Sequence, residues 1–210
     1  MTTVALIRTT YLNGLLRRVE GAATVPWTDA VANQHITDAL TQLWADGIGK
    51  RASGTVAPSS ASDVYAIPAA LSTGRISRIE LEQTSGGVSG RIDKVTNWTY
   101  YSDTQVRIRP ALVTNSSLTL RFFGWAPYLV DATDLPTRLE NVVAMKAAAL
   151  AYGSLSGYLV NAQNQVGLDS SRVVDMQTAV GLSAYWERRY QEAIHKDPSF
   201  VSYAPRRASR

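Results

Sequence analysis

The sequence predicts an α+β fold: a helical base of about four helices, two N-terminal and two C-terminal, with an antiparallel β-sandwich-like domain inserted between the pairs. Three observations predict it. Apolar residues recur at helical spacing from Val4 to Trp44, alternate from about Val64 to Trp125, and return to helical spacing from Leu139 to Ile194. Several strand patterns follow one another with no helix pattern between them, which calls for antiparallel pairing. The chain has 210 residues, and a domain of that size buries roughly 70% of its unfolded surface. The expected boundaries are 1–50 with 134–197 for the helical domain, 51–133 for the inserted β-domain, and 198–210 for an extended basic C-terminal arm.

Val4, Ile7, Tyr11 and Leu15, with Leu12, Leu16 and Val19 beside them, share one face of a first helix, and Gly21 is expected to stop it. Thr28 is placed to cap a second helix, whose stripe of Ile36, Leu40, Leu43 and Trp44 ends at Gly47. From Gly47 to Ser62 the chain is rich in Gly, Ser, Ala and Pro without periodicity, and is expected to be a linker or crossing segment. Arg78-Ile79-Glu80-Leu81-Glu82 alternates as a half-buried strand does, and Ser85-Gly86-Gly87 suits a turn. Further strands are predicted over Trp98 to Tyr101, over Gln105 to Arg109 with Val106 and Ile108 inward, and over Leu118 to Trp125. The breaks at Ser102-Asp103-Thr104 and Thr114-Asn115-Ser116-Ser117 have hairpin-loop composition.

Pro136 suits the first turn of a third helix, where its missing N–H is not needed. Leu139, Val142, Val143, Ala147, Leu150 and Ala151 share its face. Ala147-Ala148-Ala149 with Ala151, Gly153, Ser154, Ser156 and Gly157 gives a surface of small side chains that another helix can approach closely. Asn161 to Asp169 reads as a polar loop. Ser170 or Ser171 then caps the last helix, with Val173, Met176, Val180, Tyr185, Trp186, Tyr190 and Ile194 as its apolar and aromatic positions; Pro198 ends it and Pro205 keeps the tail from resuming.

Composition narrows the function. Cysteine is absent, which excludes disulfides and thiolate metal sites. The N-terminal apolar run breaks at Arg8, far short of a signal-peptide core or a membrane span, so the chain is expected to be soluble and cytoplasmic when made, with no membrane partner. The net charge is +4, and Arg206, Arg207 and Arg210 supply three of the four excess positives; the preceding residues hold 18 basic against 17 acidic side chains. Basicity belongs to the tail, and no DNA-binding face on the body is indicated.

No set of catalytic groups emerges, and no enzymatic activity, metal or cofactor is expected. Gly49-Lys50-Arg51 lacks the residues of a phosphate-binding loop, and no G-x-G-x-x-G or G-x-S-x-G occurs. Gly86-Gly87-Val88-Ser89-Gly90 reads as a hairpin loop. His35 and His195 have no acidic neighbour at metal-ligand spacing, and Asp131 with Asp134 lacks the rest of a calcium loop, suiting instead the N-terminus of the helix after Pro136. Glu80 and Glu82 share a strand face, as an acid and base pair would, but their alternation with Ile79 and Leu81 is that of a solvated face. Trp98, Tyr100, Tyr101, Phe122, Phe123 and Trp125 would serve a sugar or base platform, yet strand aromatics are more often core and cross-strand pairs.

The arm from Ser199 to Arg210 joins Phe200, Val201 and Tyr203 to three arginines, and extended it reaches roughly 40 Å at ~3.3 Å per residue. It is either a solvated tail or a docking arm whose aromatics fill pockets and whose arginines meet carboxylates or phosphates.

Taken together, these pieces resemble the head-to-tail adaptor (connector) proteins of tailed bacteriophages. The residues that carry the likeness are Tyr11-Leu12-Asn13, Val25-Pro26-Trp27-Thr28-Asp29-Ala30, and Ala39-Leu40-Thr41-Gln42-Leu43-Trp44 in the first two helices. Tyr65-Ala66-Ile67-Pro68, Ile76-Ser77-Arg78-Ile79-Glu80-Leu81 and Leu118-Thr119-Leu120-Arg121-Phe122-Phe123-Gly124 carry it in the strand unit. Asp134-Leu135-Pro136 and Tyr185-Trp186-Glu187-Arg188-Arg189-Tyr190 carry it near the C-terminal helices. The resemblance implies a structural virion protein of the neck, assembled in the host cytoplasm into a homo-oligomeric ring, commonly of twelve copies. Such a ring lies beneath the portal protein, meets a downstream tail or stopper protein, and passes double-stranded DNA without sequence preference. It also implies that Phe200, Tyr203, Arg206, Arg207 and Arg210 form a portal-binding arm. The alternatives are a tail-terminator or stopper ring, a carbohydrate-binding β-sandwich using Trp98 and Tyr100, and a hydrolase using Glu80 and Glu82.

Overall fold

The computed structural model describes residues 3–16, 28–58, 62–71, 75–85, 88–109, 118–129, 135–166 and 170–196. The chain divides into two compact units, Met1–Ile48 with Tyr128–Arg210, and Gly49–Pro127. Four helices and two antiparallel sheets give the α+β class that the periodicities predict.

In the helical unit, α1 runs over Thr3–Ile7, passes through a π-helical turn at Arg8–Leu12, and closes with Asn13–Leu15. The Asn13 N–H donates to the Arg8 carbonyl, five residues back. This extra residue moves the buried face by one position, so the apolar set is Val4, Ile7, Leu12 and Leu16, whereas regular 3.6 spacing selects Tyr11 and Leu15. Those two are only partly buried. The predicted stop at Gly21 lies outside the described residues.

Helix α2, Asp29–Ala45, starts as predicted: the Thr28 hydroxyl accepts from the Val31 N–H at 3.3 Å. It ends on Gly47, whose φ of 90° puts it in the left-handed region. Gly47 N–H donates to the Trp44 carbonyl and Ile48 N–H to the Leu43 carbonyl, both at 3.0 Å, and buried Ile48 and Leu43 supply the apolar contact that completes this Schellman cap.

Helix α3, Thr137–Val166, is the centre of the unit, and α1, α2 and α4, Ser170–Lys196, all pack on it. Leu139, Val142, Val143, Ala147 and Ala151 are buried as expected, joined by Ala144 and Ala148. The small residues draw in α4 of the same chain: the Ser183 hydroxyl donates to the Ala149 carbonyl at 2.8 Å, and a Cβ on Gly153 would stand 3.4 Å from that hydroxyl. The predicted polar loop from Asn161 is corrected, because α3 continues to Val166; Asn161-Ala162-Gln163-Asn164-Gln165 is polar but contains no helix breaker. Helix α4 begins at Ser170. Of its predicted apolar positions Tyr190 and Ile194 are buried, Trp186 is partly so, and Val180 and Tyr185 are exposed. The side chains of Val173 and Met176, and Pro198, lie outside what is described.

In the β unit, β1 (Lys50–Val56), β7 (Leu118–Ala126), β3 (Arg75–Ser85) and β4 (Val88–Val95) form one sheet in that order. The strands β2 (Val64–Ala66), β6 (Gln105–Ile108) and β5 (Trp98–Ser102) form the second. Tyr65, Leu71, Ile76, Ile79, Val106, Ile108, Leu120 and Phe122 make a shared core. The Ile76 N–H donates to the Tyr100 hydroxyl at 2.9 Å, tying β3 to the second sheet.

Strand β1 corrects the reading of 47–62 as a linker. Packing demands the glycine at its centre: a Cβ on Gly54 would come within 2.4 Å of the Pro68 Cβ. Strand β4 also escapes the periodicity, since its pairing with β3 shifts register between Leu81 and Glu82 and mixes the two faces. At Gly124 a Cβ would stand 2.2 Å from the Arg75 carbonyl oxygen, so only glycine lets β7 run this close to β3.

Candidate functional surfaces

The core side of the four-stranded sheet takes Leu120 and Phe122 of β7, and the opposite side is built from the residues between them. Antiparallel register sets Arg51 opposite Trp125, Arg78 opposite Phe123, and Glu80 opposite both Arg121 and Lys94. The Arg78 guanidinium lies 4.2 Å and that of Arg121 5.1 Å from the centre of the Phe123 ring, and Arg51 stands 5.8 Å from that of Trp125. Arg78 Nε meets Glu80 Oε1 at 3.3 Å, and Arg121 Nη1 donates to Glu82 Oε1 at 3.2 Å.

The two partners in each ion pair differ in depth. Arg78 and Arg121 side chains are 50% and 41% exposed, whereas those of Glu80 and Glu82 are 9% and 12% exposed. The expectation of a solvated carboxylate face is therefore corrected: both carboxylates are buried beneath arginines that lie across the aromatic rings. This geometry also removes what acid and base catalysis would need, since each carboxylate is already committed to a guanidinium.

The aromatics of the second sheet do not make a flat platform. Trp98 and Tyr100 meet edge to face, with centres 5.6 Å apart and planes at 73°, and the Tyr100 hydroxyl is engaged by Ile76. The core reading fails for Tyr100 and Tyr101, which are about half exposed. Arg107 lies 4.4 Å from the centre of the Tyr101 ring and pairs with Asp63 at 3.2 Å.

In the helical unit a polar chain crosses three helices. Tyr190 on α4 donates to Asp46 Oδ2 at 2.5 Å, just past the end of α2. Lys146 on α3 lies 5.1 Å from the centre of the Tyr190 ring and donates to Glu187 Oε2 at 2.8 Å. Burial, with Asp46 and then Glu187 beside it, raises the Tyr190 phenol well above its ordinary value. His35, half-buried with Nε2 3.4 Å from the Ser154 hydroxyl, is lowered chiefly by burial, against an opposing pull from Asp38.

The outward stripe of α4 is the second candidate surface. Gly181, Ala184, Tyr185, Arg188, Arg189, His195 and Lys196 are exposed along it, with Glu192 between the cations. Its neighbour Val180 is 53% exposed. Helices α1 and α2 pack on α3 as α4 does. The exposed stripe of α2 consists of Ala30, Val31, Gln34, Asp38, Thr41 and Ala45, with Leu6 exposed on α1.

The predicted arm residues Phe200, Tyr203, Arg206, Arg207 and Arg210 lie outside the described residues, as do Gly86, Gly87, Asp131 and Asp134. His195 is exposed at the end of α4. Among the described residues no group of three or more His, Asp or Glu side chains is placed to hold a metal ion, and no helix is long and apolar enough to cross a membrane. Sequence reasoning missed Arg51, Arg78, Lys94 and Arg121. Their signal is the two-residue period of Arg78, Glu80 and Glu82 and of Arg121, Phe123 and Trp125, which marks one face of two neighbouring strands.

No protein-family model matches the chain, and the comparison with curated proteins finds no match. Chains of solved structures are similar to it, among them two from gene transfer agent particles. One is the neck of an empty gene transfer agent particle computed with C6 symmetry, at 14% identity and a TM-score of 0.31. The other is the virion of a native gene transfer agent particle, at 16% identity and a TM-score of 0.32. Each alignment covers 69% of this chain and 74% of the other.

Proposed function

We propose that this chain is a structural virion protein, a head-to-tail adaptor whose copies form a ring beneath the portal and link capsid to tail around the DNA channel. The observation that carries this reading is the pair of unlike outward stripes on the helical unit. The α4 stripe is small at Gly181 and Ala184, aromatic at Tyr185, and basic at Arg188, Arg189 and Lys196. The α2 stripe is small at Ala30, Thr41 and Ala45 and carries a single charge, the carboxylate of Asp38. Two different patches that fit one another make a heterologous contact, and such contacts close into rings when the rotation permits. Small residues let helices approach closely, and Asp38 offers a partner of opposite sign to Arg188 or Arg189.

The sequence resemblance supplies the place of the ring. The reading assigns no catalytic residue and no cofactor, and takes the ring to be commonly of twelve copies. Phe200, Tyr203, Arg206, Arg207 and Arg210 dock on the portal protein, a downstream tail or stopper protein sits on the other end, and the particle neck is where the chain resides. Electron microscopy of tailed particles carrying a tagged copy tests this: label at the junction of capsid vertex and tail is expected, and particles with no label there contradict it. Deleting 200–210 is expected to leave a folded protein that no longer joins the portal, and unimpaired attachment would remove the arm from the account.

A further inference from the structure

We propose that the outer face of the four-stranded sheet binds the phosphodiester backbone of duplex DNA. Arg51 on β1, Arg78 on β3, Lys94 on β4 and Arg121 on β7 lie on that face; the register sets Arg51 beside Trp125, Arg78 beside Phe123, and Lys94 and Arg121 on either side of Glu80. The two carboxylates among them, Glu80 and Glu82, lie beneath and are buried, while Arg51 and Lys94 are exposed and Arg78 and Arg121 are about half exposed. The face therefore presents positive charge to the solvent although its ion pairs are matched two for two.

The arginines are also held in place. Phe123 lies under Arg78 and Arg121, and Trp125 under Arg51, so part of the entropy cost of fixing long side chains against a ligand is already met. Strands about 4.8 Å apart spread the four charges over roughly 14 Å from β1 to β4. That is a distributed surface suited to a polyanion with regularly spaced charges and not a pocket for one anion. Single strands are bound by stacking bases on open aromatic faces, but here guanidiniums already occupy them, which favours duplex phosphates. Contacts of this kind position a backbone and carry no sequence information.

This inference rests on the sheet alone. The ring contact proposed above lies on the helical unit, so either can fail without the other. The test uses the full chain and a labelled duplex of arbitrary sequence, with affinity followed as salt is raised. Each phosphate contact contributes about 0.9 to the slope of log affinity against log salt. The R51A/K94A variant keeps both arginines that cover Glu80 and Glu82; it is expected to melt as the parent does, to lose about 2 from that slope, and to bind several-fold more weakly. The R109A variant, altered just past β6 of the second sheet where the side chain is 70% exposed, is expected to bind as the parent does. The proposal is overturned if R51A/K94A keeps the parental slope, if only R206A/R207A/R210A lowers it, if a single strand binds more tightly than the duplex, or if polyglutamate displaces the duplex as well as unlabelled duplex does. The last result would assign the face to an acidic protein.

Discussion

In the β unit the carboxylates of Glu80 and Glu82 lie under half-exposed Arg78 and Arg121, whereas in the helical unit the order is reversed. There the Lys146 side chain is 11% exposed and its partner Glu187 is 39% exposed. Both units bury one member of an ion pair and leave the other toward water. What differs is the sign left outside: cationic on the sheet, anionic over the helix core. Net charge does not predict this, because each pair sums to zero. Depth decides what a neighbour or ligand meets first.

The comparison can be broken most strongly through the cores. Phe122→Ala removes the largest fully buried side chain among the described residues of the β unit and should cost about 3–5 kcal/mol. Urea unfolding followed by far-UV circular dichroism should then show an early step for the β unit and an unmoved step for the helical unit; a single shifted transition would mean that the two units unfold together.

A sharper test exploits the asymmetry itself. Removing the outer member of a pair strands a buried charge, while removing the inner member frees the outer one to water. Arg121→Met should therefore destabilise more than Glu82→Gln, and Glu187→Gln more than Lys146→Met. We expect about 1–3 kcal/mol for the first of each couple and under about 1 kcal/mol for the second, with partial exposure keeping all four below fully buried values. Equal losses within a couple would show that depth does not matter here.

Smaller effects follow at the helix ends and from pH. Thr28→Ala should cost about 1 kcal/mol by releasing the Val31 N–H, measured by thermal melting. The folded His35 titrates below its ordinary value of 6.5, so its contribution is fully present above that value and is lost as pH falls through the lowered one. His35→Gln should flatten this acid-side decline. For Tyr190, raised from an ordinary value of 10.0, the contribution is complete below that value and is lost only at higher pH, so Tyr190→Phe should weaken the dependence of stability on pH above it.

Much of the helical unit was legible in the sequence. The Thr28 cap, the Gly47 stop and the buried stripe of α3 depend on local chemistry and read directly. The face of α1 did not, since a π-helical turn inserts a residue that leaves no mark on an apolar pattern. Strand β1 was hidden for a packing reason: Gly54, which breaks its pattern, leaves the room that Pro68 fills. For the sheet face, alternation identified one side correctly but not its depth. Polarity suggested solvent; Arg78 stands two residues from Glu80 on the same strand, but only the pairing with β7 brings Arg121 to Glu82. The arm residues Phe200 to Arg210 remain the part of the site read from sequence alone.

The central claim is that copies of this chain join through two different patches. The absence of cysteine makes one measurement direct: single cysteines placed at Tyr185 and at Asp38, treated with a bismaleimide at high protein concentration. The account predicts that each single variant alone stays uncrosslinked, their mixture gives dimers, and the double variant gives a ladder ending in one closed species. Homodimers from Tyr185→Cys alone, or no ladder from the double variant, would contradict it.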